Sequence, residues 1–117
     1  MKCVQYNEET LKEAIQILKD GGNAVDASVA VGFALAVTYP YAGNIGGGGF
    51  MVIYLAKEKR VTVLNFREKA PAALHPRSYL KNGKVDDSLK GDHGMAVGVP
   101  GALAGWSEAA HKYGTRS

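Results

Sequence analysis

Between Gly21 and Phe50 the chain reads GGNAVDASVAVGFALAVTYPYAGNIGGGGF, and its middle constrains the fold more than any other stretch. From Ala24 to Val37 almost every position is apolar, and Ala, Val, Leu and Phe recur on all sides of the helix. Asn23 is placed to cap its start, with Asp26 three residues on as the partner in a capping box. A helix with no polar face belongs inside a membrane or a large core. A membrane span needs about 20 apolar residues; this run is shorter and carries Asp26. The pattern therefore predicts a buried helix covered on every side, and no membrane span.

A chain of 117 residues has room for one domain, here residues 1–117, and its 46% hydrophobic content is that of a folded protein. The net charge of +3 is small and forms no basic stripe: Lys57, Lys59 and Arg60 are interrupted by Glu58. Nucleic-acid binding is therefore not expected. Cys3 is the single cysteine, so no internal disulfide framework exists. The start, MKCVQYNEET, has no apolar core of a signal peptide, so the chain as it stands reads as cytoplasmic.

In chain order, Thr10 to Lys19 predicts an amphipathic helix with Leu11, Ala14, Ile15 and Leu18 inward, ended by Gly21 and Gly22. The apolar helix follows and stops at Tyr39-Pro40. After the glycine run Gly46 to Gly49, Phe50 to Leu55 reads as a strand covered on both faces. A charged tip, Lys57 to Arg60, leads to a second strand, Val61 to Phe66, so the pair predicts an antiparallel hairpin. In that strand Val61 and Val63 face one way, and Thr62, Leu64 and Phe66 the other. Residues 67 to 94 read mostly as a solvated loop, with a tight turn at Asn82-Gly83. Met95 to Val97 suggests a short strand. Pro100 opens a last helix with Leu103, Trp106, Ala110 and Tyr113 inward, ended by Gly114. Residues 115–117 give no readable signal.

Few residues suggest chemistry. Gly46 to Gly49 lacks a Gly-Lys-Ser/Thr ending and lies after a helix and before a strand, the reverse of a phosphate loop. It is read as backbone passing close to other elements with unusual angles. His75, His93 and His111 are far apart with no partner at ligand spacing, so no metal site and no cofactor is expected. Cys3 lacks any sign of an activating base, and Asp86-Asp87 reads as a solvated pair. Arg67 differs, because it ends an apolar strand and precedes a proline-limited loop. A guanidinium there suits a carboxylate, with two parallel donors for two oxygens. A surface ion pair with Glu68 or a structural anchor fits the spacing equally well.

Five segments in register, GGNAVDASVAVGFALAV, GNIGGGGFM, FREKAP, AVGVPGALAG and HKYG, resemble the start of the large subunit of gamma-glutamyltranspeptidases. The match runs from about Leu11 to Gly114. The resemblance implies an α+β fold: part of the αββα sandwich of N-terminal-nucleophile hydrolases, incomplete in this chain. It also implies a precursor that cuts itself into a large and a small catalytic subunit, the latter a partner of this segment. The implied reaction is attack of the small subunit's N-terminal threonine on a gamma-glutamyl amide such as glutathione. The threonine's own amine is the base, and the acyl group then passes to water, an amino acid or a peptide. In the family the arginine of the FRExAP-like motif binds the glutamyl alpha-carboxylate, which assigns that role to Arg67. No catalytic residue is expected in this chain, since Thr115 lies far ahead of the family's cleavage site.

Complete members are expected in the periplasm or outside the cell. MKCVQY does not follow the family's usual start, and TRS leaves its pattern. An incomplete copy is expected, poorly soluble or partly unfolded alone and without transpeptidase activity. The alternative is a non-catalytic fragment or interaction module that kept parts of the fold and lost the chemistry.

Overall fold

In a computed structural model that describes residues 8–116, four helices and two small hairpins follow one another along the chain. The reading of Cys3 lies outside those residues. Helix α1, Glu8–Lys19, reverses through Gly21, whose φ of +89° suits glycine, into α2, Ala24–Thr38. The two run antiparallel, with the Thr10 and Thr38 hydroxyls 3.2 Å apart at the far end. Thr10 is buried and Ala14 and Ile17 half-buried, so these three make the contact face of α1. Leu11, Ile15 and Leu18, expected inward, are 41 to 55% exposed. The apolar stripe is wider than the neighbour it meets.

The capping box at α2 forms as its spacing requires. The Asn23 side chain accepts from the backbone N–H groups of Val25 and Asp26 at 2.8 and 3.0 Å, and Asp26 accepts from Asn23 N–H at 2.8 Å. Cover on every side is not met within this chain. Only Val25, Asp26 and Ala27 are buried, while Phe33 is 48% and Val37 81% exposed. A short helix α3, Pro40–Gly43, follows the proline stop.

Strands β1, Phe50–Leu55, and β2, Arg60–Asn65, pair antiparallel with Val52 opposite Val63. Their inner face packs onto α2 and the last helix, α4, Ala102–Tyr113, around a core of Val25, Ile53 and Ala109. The outer face (Phe50, Val52, Tyr54, Val61 and Val63) is 55 to 70% exposed, so the strand predicted to be covered on both sides is covered here on one. The radius of gyration is 18.1 Å, against about 13 Å for a compact chain of this length. The accessible surface is 8942 Å², against about 6,100 Å² for a self-contained monomer of this mass.

Helix α4 lies antiparallel to α2. Trp106 meets Phe33 edge-on at 5.0 Å and presses on Gly32, where a Cβ would sit 2.9 Å from the indole. The buried positions of α4 are Ala102, Gly105 and Ala109, with Trp106, Ala110 and Tyr113 half-buried beside them. Leu103, expected inward, is 47% exposed. The small residues face the sheet because Phe66 fills the space next to Gly105.

At the other end of this pair, Asp26 clasps the segment after α4. Its carboxylate accepts from the Thr115 hydroxyl at 2.7 Å, from Thr115 N–H at 3.0 Å and from Arg116 N–H at 3.4 Å. Asn23 adds a bond to the Tyr113 carbonyl at 2.7 Å. Burial of Asp26 opposes its charge, but the hydrogen bonds from Asn23, Thr115 and Arg116 outweigh it and hold the carboxyl at about 2.

Between the hairpin and α4 the chain makes 3₁₀ turns at Pro76–Tyr79, Asp87–Leu89 and Gly94–Ala96, and a small hairpin of β3, Leu80–Lys81, and β4, Lys84–Val85. The Asn82-Gly83 turn has positive φ at both residues, the hairpin geometry that sequence favours. Gly94–Ala96 falls where a strand was expected. His93 caps it as a 3₁₀ turn, and strand-like pairing occurs instead between Lys69 and Val99. Among the described residues no helix is long and apolar enough to cross a membrane.

Candidate functional site

Arg67 stands where three backbone segments converge. The β1–β2 ladder continues past its named ends through Gly49 and Phe66, which exchange hydrogen bonds at 3.0 and 3.4 Å. Arg67 follows, its N–H donating to Asn65 Oδ1 at 3.1 Å. On one side lies the glycine run: a Cβ on Gly48 would collide with the backbone of Phe66, Arg67 and Glu68. On the other, Lys69 and Val99 exchange bonds of 3.3 and 2.7 Å. The N–H groups of Gly101 and Ala102, which begin α4, both donate to the Gly47 carbonyl at 2.9 and 3.0 Å. The helix start is thus capped by the glycine run itself.

The glycines therefore serve close approach, as read from the sequence. The unusual angles expected there are absent: the positive-φ glycines among the described residues are Gly21, Gly83 and Gly91.

The side chains alternate across this segment. Arg67 and Lys69 point outward and Glu68 turns in. Arg67 Nε lies 3.0 Å from Glu68 Oε2 in a pair whose arginine side chain is 68% exposed. The distance is that of an ion pair, and the buried Oε2 makes no hydrogen bond. Glu68 lies between Gly47 and Gly98, and a Cβ on Gly98 would come within 2.9 Å of the Glu68 Cβ. Both Nη groups of Arg67 remain without a partner among the described residues.

Two hollows flank the guanidinium. One of about 380 Å³ is bounded by Glu68, Leu74, Tyr79, Met95 and Gly98. The other, about 250 Å³, is bounded by Asn65, Phe66, Pro100 and Glu108, and both are bordered by Arg67 and Lys69. A larger hollow of about 670 Å³ lies between the start of α2, β1 and Tyr113. It is mostly apolar, and the clasp described above already occupies its Asn23 and Thr115. Among the described residues Arg67 is the strongest candidate: a cation beside two hollows whose Nη groups make no hydrogen bond there, the donor geometry that a carboxylate accepts.

The first hollow has a wall that the sequence did not announce. His75 Nδ1 accepts from Arg77 N–H at 3.2 Å, and His93 Nδ1 from Met95 N–H at 3.1 Å. Each imidazole caps a 3₁₀ turn, and the Tyr79 hydroxyl joins the two turns by donating to the Met95 carbonyl at 2.9 Å. His75-x-x-Ser78 has capping-box spacing, a signal legible in sequence once histidine is admitted as a cap. His111 is exposed on α4, away from both. Among the described residues no group of His, Cys, Asp or Glu is arranged to hold a metal ion. Asp86 is pushed below the usual carboxylate range by the Ser88 hydroxyl and N–H, a turn cap, while Asp87 pairs with Lys90 at 2.8 Å.

Residues 12–117 match the family model of gamma-glutamyltranspeptidase. The glutathione hydrolase proenzyme of Pseudomonas sp. (strain A14) is 55% identical over 107 residues, covering 91% of this chain and 18% of that protein. That of Bacillus subtilis (strain 168) is 52% identical over 103 residues, 86% of this chain and again 18% of the relative. The crystal structure of Helicobacter pylori gamma-glutamyltranspeptidase superposes with a TM-score of 0.89 at 45% identity, over 97% of this chain and 33% of that one. Gamma-glutamyltranspeptidase from Pseudomonas nitroreducens, complexed with L-DON, gives 0.87 at 45% identity, over 98% and 34%. The chain thus spans less than a fifth of the length of these curated relatives.

Proposed function

Because this chain belongs to the gamma-glutamyltranspeptidase family, we propose that residues 1–117 are the N-terminal portion of the large subunit of a gamma-glutamyltransferase/glutathione hydrolase. On this reading it is one partial domain, and the substrate is a gamma-glutamyl amide such as glutathione. The attacking threonine belongs to the small subunit of the same precursor. The helices and hairpin are one flank of an αββα sandwich, and the apolar outer face of β1 and β2 is where the rest of the protein packs. Support comes from the 8942 Å² of accessible surface, far more than a self-contained chain of this size leaves open.

In this reading Arg67 holds the alpha-carboxylate of the glutamyl group through its two Nη donors, while Glu68 restrains Nε. The placement of Arg67 between two hollows, with those donors free, is the observation that carries the assignment. A carboxylate so held fixes one end of the substrate and leaves its amide to reach the nucleophile, converting binding into orientation. The chain contributes no attacking group, so alone it is inactive.

The test is Arg67→Ala in the complete enzyme. Loss of a charge-assisted pair of about 2 kcal/mol raises KM for the gamma-glutamyl donor roughly thirtyfold, with Arg67→Lys intermediate and folding undisturbed. An unchanged KM removes Arg67 from the site. The alternative, a non-catalytic fragment, is separated by reading the gene beyond Ser117: a continuing frame with a threonine cleavage region supports the enzyme.

A further inference from the structure

Among the described residues Lys69 stands beside Arg67 with no counter-ion. One residue separates them, and exposure alternates from Arg67 through Glu68 to Lys69, as on one face of a strand, where such Cα atoms lie about 6.6 Å apart. Both border the two hollows. The nearby acids are already engaged: Glu68 faces Arg67 at 3.0 Å, and Glu108 holds Lys112 at 2.6 Å. The Lys69 backbone exchanges both of its hydrogen bonds with Val99, yet its ammonium makes no ion pair or hydrogen bond among the described residues. Among the described residues one positive charge beside the clamp is therefore uncompensated. A solvated surface lysine needs no such fixed backbone and need not sit on the rim of a binding hollow.

We propose that Lys69 is a specificity-determining residue that receives a second carboxylate, one borne by the group attached to the gamma-glutamyl amide. The inference rests on the reading of Arg67 as the alpha-carboxylate clamp. In a gamma-glutamyl amino acid the two carboxylate carbons are seven bonds apart, on the order of 8–9 Å when extended. Two flexible cations rooted about 6.6 Å apart can bracket that length. The favoured substrate class is then the gamma-glutamyl amino acids, ahead of gamma-glutamyl amides of uncharged amines. The contact is half-solvated, so the preference is modest and weakens with salt.

The experiment compares gamma-glutamylglycine with gamma-glutamylmethylamide, which lacks the second carboxylate, as substrates of the complete enzyme. The wild type is expected to favour gamma-glutamylglycine about threefold to fivefold in kcat/KM, through KM. Lys69→Met abolishes the preference, Lys69→Arg retains it, and added salt reduces it. If Lys69→Met leaves the ratio unchanged while Arg67→Ala raises KM for both substrates, Lys69 is only a solvated surface charge and this inference fails alone. If Arg67→Ala changes KM for neither substrate, the clamp reading and this inference fall together.

Discussion

Val52 and Val63 face each other across the hairpin on its open side, 70% and 55% exposed. Replacing both by threonine keeps shape and strand preference and changes one methyl to a hydroxyl at each site. Within the 117-residue chain those hydroxyls meet water, and the expected change in hairpin stability is within about 0.5 kcal/mol. In the complete enzyme, if the chain is one flank of a larger sandwich, the same positions are covered by protein. Burying an unpaired hydroxyl then costs about 1–3 kcal/mol at each site. The double variant should lower the melting temperature of the enzyme by several degrees, at roughly 2–4 °C for each kcal/mol. Amide exchange of β1 and β2 reads the effect in the isolated chain, and thermal inactivation reads it in the enzyme. A double variant that is neutral in both would refute the reasoning, because the outer face would then remain open in the finished protein.

Other consequences can be measured in the complete enzyme. Asp26→Asn removes the carboxylate that ties the start of α2 to Thr115 and Arg116. The fall from 3.8 to about 2 corresponds to about 1–2 kcal/mol after allowing for solvent near the helix end. Because the folded value is the lower one, this contribution is full above pH 3.8 and drains as pH falls toward about 2. The stability gap between wild type and Asp26→Asn should close over that window; a gap independent of pH would remove the clasp. Gly105→Ala, which in an open helix adds about 1 kcal/mol, should instead destabilise by about 1–2 kcal/mol through overpacking. Its Cβ overlaps the Phe66 ring and displaces the strand end that carries Arg67. A raised Tm would contradict this. The pure 117-residue chain should release no p-nitroaniline from a gamma-glutamyl anilide, and measurable release would place a nucleophile within it.

The hairpin, the proline stop, the capping box and the extents of the main helices were legible because each rests on local chemistry. Asn23 and Asp26 cap the backbone beside them, and Asn82-Gly83 turns itself. What escaped were outcomes decided by distant neighbours. Which apolar positions of α1 and α4 face inward depends on where α2 and Phe66 lie. So Leu11, Ile15, Leu18 and Leu103 stayed out while Thr10 and Gly105 went in. Met95 to Val97 has strand composition, but a histidine cap and the Tyr79 hydroxyl made it a turn wall. Thr115 and Arg116 gave no signal because their partner is Asp26, 89 and 90 residues away. Arg67 was legible as a candidate from its strand-end position. Its pairing with Glu68 was one of the readings the spacing offered; that Lys69 shares its face followed only once the bridge to Val99 fixed the backbone.

Scanning calorimetry of the isolated chain bears most directly on the claim that these residues fold as one flank of something larger. The predicted result is a broad, weak transition with dye-accessible apolar surface, both lost when the remaining polypeptide is present. A single sharp endotherm from a soluble monomer of residues 1–117 would contradict it.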